Sequence, residues 1–69
     1  MESFQQHIRL LSNSRLQTYY DLAEGYMTDG VLDGLIGSHV ERCFGNRYAV
    51  NIIFGVMAIY REVARRHYS

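Results

Sequence analysis

Three observations predict an all-α chain. Apolar residues recur at intervals of three and four through most of the sequence, serine, aspartate and asparagine stand where helices would begin, and in the absence of proline the breaks fall to glycine. The expected architecture is one domain, residues 1–69, made of a helical hairpin and a long third helix, at about 3–25, 29–44 and 46–67, paired with a second copy as a homodimer.

The first helix opens at Ser3-Phe4-Gln5-Gln6, a capping box in which the serine hydroxyl accepts the Gln6 N–H and the glutamine side chain reaches back. Phe4, Ile8, Leu11, Tyr19, Leu22 and Tyr26 then form one stripe if the helix is continuous. Ser12-Asn13-Ser14 interrupts it with residues that prefer caps, and Ser14-Arg15-Leu16-Gln17 repeats the capping pattern, so a kink or restart near residue 13 stays open. Gly25 to Gly30 holds the first break, with Thr28 or Asp29 placed to cap the second helix.

In the second helix, Val31, Leu32, Leu35, Ile36, His39, Val40 and Cys43 make an apolar face. Gly30, Gly34 and Gly37 lie on the other side. Interior glycines each cost roughly 0.5–1 kcal/mol relative to alanine, which is recovered only if another helix comes close; a merely weak helix is the alternative. Gly45-Asn46 ends the segment, and Asn46 is suited to cap the third helix.

That third helix carries Ala49, Ile52, Ile53, Val56, Met57, Tyr60, Val63 and Ala64 on one stripe, which Val50, Phe54 and Ile59 extend around the cylinder. A helix apolar over so much of its circumference needs cover on more than one side. A chain this small has little core to spare, and its single cysteine, Cys43, excludes an internal disulfide. A second copy is the expected cover, with Ile52, Ile53, Phe54, Val56, Met57 and Tyr60 at the interface. The run Tyr48 to Tyr60 falls short of the roughly 20 apolar residues that a membrane span needs.

Catalytic chemistry finds little material. His7, His39 and His67 fall on three different helices, His39 reads as a core histidine, and Cys43 one turn later reads as a small buried hydrophobe. Glycine-rich nucleotide-binding patterns are absent. No enzymatic activity, cofactor or metal is expected. The seven basic residues, all arginine, balance seven acids, so the chain has no general attraction for polyanions and nucleic acid is not an expected partner. Arg61, Arg65 and Arg66 crowd the end, while Asp21, Glu24, Asp29, Asp33 and Glu41 occupy the middle. MESFQQHIRLL lacks the basic start and apolar run of a secretory signal, which makes the cytoplasm the expected location.

What remains is a surface rich in aromatic residues, with six tyrosines and three phenylalanines. Tyrosine and arginine are enriched at binding hot spots. On a continuous first helix Arg9, Leu16, Tyr20 and Met27 form a second stripe, expected to bind a partner; after a kink, Leu16 and Tyr20 would belong to the core instead.

Length, absence of proline and a compact helical dimer without a catalytic set resemble small phage-encoded inhibitors that sequester host proteins, among them the quorum-sensing anti-activators of Pseudomonas phages. The resemblance is one of size and layout, with no diagnostic motif. It implies binding to a LuxR-type transcriptional activator in the host cytoplasm, blocking its hold on DNA, and also to the type IV pilus assembly ATPase. Anti-CRISPR proteins, antitoxins and dimeric helical DNA-binding regulators share the layout and are the alternatives.

Overall fold

The computed structural model describes residues 3–68, and four helices make up the fold: α1 (Phe4–Arg9), α2 (Asn13–Asp29), α3 (Gly34–Phe44) and α4 (Ala49–Tyr68), with no strand among the described residues. The class is all-α as expected, with four helices in place of three. Met1, Glu2 and Ser69 of the expected 1–69 domain lie outside the described residues.

The extra helix comes from a full break at Ser12. Ser3 caps α1 through the Gln6 N–H (3.1 Å), as the capping box predicts. The helix then stops at Arg9, and Ser12, not Ser14, caps α2 by accepting the Arg15 N–H at 3.3 Å. The carbonyls stranded by the break are taken up from the far end of the chain: the Arg66 guanidinium donates to the Arg9 oxygen (3.2 Å), the Leu11 oxygen (2.8 Å) and the Asn13 side chain (2.8 Å).

Gly25 does not end α2. The helix runs through it to Asp29 and closes at Gly30, whose φ of 73° is the left-handed cap that glycine supplies without steric cost. Thr28 and Asp29 therefore sit inside α2, and the cap of α3 is Asp33, which accepts the Leu35 N–H at 2.8 Å. Val31 and Leu32, expected in the second helix, form the connector. Gly45 ends α3 with φ 86°, and Asn46 then accepts the Tyr48 N–H (3.0 Å) and the Asn51 amide (2.6 Å) in the turn that leads into α4.

Helix α4 is the hub, packing against each of the other three, while α1 and α2 also touch α3. The sealed core joins Phe4, Ile8, Leu16, Tyr19 and Ala23 to Ile36 and Val40 of α3 and to Ile52, Val56 and Ile59 of α4. Helix α4 packs tightly on α3 and α1 at Gly55, where a β-carbon would stand 3.1 Å from Val40 and 3.3 Å from the Phe4 ring. The glycines expected to serve that purpose do not. Gly30 and Gly34 have nothing within 4 Å of a built β-carbon, and Gly37 faces Arg47 and Leu32 of the connectors, not another helix. The molecule measures 31 × 30 × 17 Å, thick enough for two layers of helix and no third. One side of α4 is left outside.

Candidate interaction surfaces

The outer side of α4 is apolar. Ile53, Phe54 and Met57 are 44%, 55% and 51% exposed, and Val50 and Phe44 extend the patch. At 100° per residue these α4 positions fall within an arc of about 100°. Beside them runs a groove of about 520 Å³ between α4, the end of α3 and the start of α1, lined by Phe44, Phe54, Met57, Ala58 and Arg61 among others. Of the residues expected at a dimer interface, Ile52 and Val56 belong to the chain's own core and Tyr60 is half-buried against α2, because α1 and α2 cover that arc of the helix. Ile59, placed by sequence at the margin, is fully buried.

A second surface lies where α2 meets α4. The rings of Tyr20 and Tyr60 meet edge to face with centroids 5.5 Å apart. The Glu24 carboxylate stands beside both hydroxyls. Its hold on the hydroxyl proton is the chief reason the Tyr20 hydroxyl ionises above its ordinary pKa, whereas for Tyr60 burial leads and the Glu24 charge comes second. Asp21 stands one residue from Tyr20 and accepts from Gln17 at 3.0 Å. Gln17, Val63, Ala64 and His67 complete the walls of a shallow groove around the two tyrosines.

The binding stripe expected on the first helix does not survive the break. Leu16 is core, Tyr20 has turned toward Tyr60, and Arg9 and Met27 are exposed but separated by the change of helix. This is the alternative left open at Ser12 to Ser14.

The most elaborate polar cluster was missed in sequence. Glu62 is 1% exposed and grips three arginines: Arg65 through two bonds of 3.0 and 2.6 Å, Arg66 at 2.7 Å, and Arg9 at 4.0 Å. The Arg65 hydrogen bonds, with Arg66 adding to them, outweigh burial and hold the Glu62 carboxyl down at about 2. Spacings of three and four residues along α4 were the available signal. Because Arg66 also binds the α1–α2 connector, the cluster fastens the end of α4 to the broken first helix, and its chemistry is structural.

The histidines are closer than their positions suggest. His39 is buried beside Phe4 (4.5 Å between ring centroids), His7 (4.2 Å) and Tyr19 (5.9 Å), joining α1, α2 and α3. His67 lies apart, on the groove beside Tyr60. Among the described residues no group of three or more His, Cys, Asp or Glu side chains could hold a metal ion, and no helix is long and apolar enough to cross a membrane. No protein-family model, curated protein or solved structure matches the chain.

Proposed function

We propose that this chain is a non-enzymatic binding protein, dimeric through α4, that inhibits a larger protein by covering a basic working face. The observation that carries the reading is the Tyr20–Tyr60–Glu24 surface. It offers rigid aromatic area, a carboxylate and a second acid at Asp21 on adjoining helices. Such a surface suits arginine or lysine side chains, which stack on tyrosine and pair with carboxylates. Faces that grip DNA carry those side chains in quantity.

The resemblance to phage anti-activators makes a LuxR-type activator the first candidate and the type IV pilus assembly ATPase the second. The test is a gel shift with a purified LuxR-type activator and its operator. Adding the chain is expected to release the DNA, and the Tyr20→Ala, Tyr60→Ala double variant, still folded by circular dichroism, is expected to release at least about 30-fold less efficiently, the scale of a hot-spot loss. No release by the parent chain, or salt-sensitive binding of random duplex by the chain itself, would overturn the reading; the latter outcome would favour a DNA-binding regulator.

A further inference from the structure

We infer that the outer face of α4 is closed by a second copy of the chain lying antiparallel to the first, with the two-fold axis passing between Ile53 and Phe54. This rests on the dimeric part of the proposed function and adds its register and contacts. Three observations support it.

The first is area. Val50, Ile53, Phe54 and Met57 are each about half exposed, and Phe44 somewhat less. Together they present on the order of 400 Å² of apolar surface, within the range of the largest patch a monomer ordinarily shows. A standard interface takes about 800 Å² from each partner, a little over half of it apolar. The patch is therefore the size that one copy should contribute.

The second is the self-complementarity of the spacing. Antiparallel pairing about that axis sets Val50 opposite the other copy's Met57 and Ile53 opposite its Phe54, with every contact occurring twice, as a two-fold interface requires. The apolar stretch between Val50 and Met57 is about 10 Å long at 1.5 Å per residue, and among antiparallel registers only this overlap covers all of it on both copies. The two Phe54 rings meet near the axis, each beside the apolar groove of the other copy.

The third is charge. Between Tyr48 and Tyr60 there is no ionisable group other than the terminal tyrosines, and Asn51 is turned aside onto Asn46. Beyond that stretch the ends differ: Arg61 and Arg65 come next on the outer side, whereas the leading corner holds Glu41 in a 2.9 Å pair with Arg47. Parallel helices would set Arg61 against Arg61 and Arg65 against Arg65. Antiparallel helices hold the two Arg61 side chains apart at opposite ends of the contact, and they oppose the two helix dipoles.

The experiment uses the full chain with Cys43→Ala. Val50→Cys and Met57→Cys proteins are prepared separately, mixed, oxidised gently and resolved by mass. The antiparallel register predicts heterodisulfides between positions 50 and 57 in excess over either homodisulfide. Alongside, Phe54→Asp is expected to weaken dimerisation at least about 30-fold by sedimentation while the far-ultraviolet helix signal stays unchanged. Homodisulfides in excess would overturn the register and leave a dimer standing. A parent chain that sediments as a monomer at high concentration, or a Phe54→Asp dimer as tight as the parent, would overturn the inference outright, and a monomer that partitions onto anionic phosphatidylglycerol vesicles would assign the face to a lipid surface. An antiparallel dimer that fails to release DNA from the activator would keep this inference and remove only the inhibitory function.

Discussion

Along one side of α4, Ile52, Val56 and Ile59 are sealed beneath α1, α2 and α3; along the other, Ile53, Phe54 and Met57 stand about half exposed although their side chains are at least as large. The two arcs have the same apolar character and differ in what the rest of the chain can reach. A molecule 17 Å thick has one layer of helix to lay over α4, and it lays that layer over the Ile59 side. Burial on the first arc specifies the fold of one copy. Exposure of the second is a property that only another molecule can remove.

The largest expected effect breaks this comparison directly. Ile59→Ala deletes a fully buried side chain at the centre of the core and should cost about 2–5 kcal/mol, a large part of the stability of a domain this small. Ile53→Ala should change the stability of an isolated copy by no more than about 0.5 kcal/mol. Urea denaturation at several protein concentrations checks both: the Ile59→Ala loss should persist at every concentration, whereas any loss from Ile53→Ala should grow with concentration, since it acts by weakening association. Equal losses at high dilution would mean that the two arcs are not distinct.

At the other end of α4 the comparison is between a buried carboxylate and its exposed surroundings. Glu62 has its pKa depressed from 4.5 in the unfolded chain to about 2 in the fold, so between those values the unfolded state binds a proton that the folded state does not. Its contribution to stability is complete above pH 4.5 and is lost as the pH falls through about 2. Glu62→Gln should therefore flatten that part of an acid titration followed by circular dichroism. Arg66→Ala should cost about 1–3 kcal/mol at neutral pH, because it withdraws the donor from two backbone carbonyls as well as from Glu62.

That cluster also explains which parts of the fold were legible in the sequence. The caps at Ser3 and Gly45 are decided by the residues next to them, and local chemistry identified both, whereas Gly30, read as part of the second helix, ends α2 instead. The break at Ser12 is decided half locally and half by Arg66, more than fifty positions away, so the serines pointed to a possible kink without settling it. The interface residues were mixed for a related reason. On a helix apolar almost all round, hydropathy cannot say which arc the chain will cover, and the short α1 that covers part of it exists only because of the break. The Tyr20–Tyr60 pairing was hidden in the same way, since Tyr20 faces α4 only once α2 starts afresh at Asn13.

The smallest expected effects come from two helix-interior glycines that look alike in sequence. Gly25 in α2 has nothing within 4 Å of a built β-carbon and an ordinary helical backbone, so Gly25→Ala should stabilise the chain by about 0.5–1 kcal/mol through reduced freedom of the unfolded state. Gly55 borders the sealed arc of α4, where a methyl group would press on Val40 at 3.1 Å and on the Phe4 ring at 3.3 Å. The same gain in helix propensity is then set against about 1–3 kcal/mol of overpacking. Gly55→Ala should come out destabilising by about 1 kcal/mol, opposite in sign to Gly25→Ala, as read from paired thermal melts. Two shifts of the same sign would mean that α4 and α3 can part enough to admit a methyl group, and that the inner arc is packed more loosely than the contact at Gly55 implies.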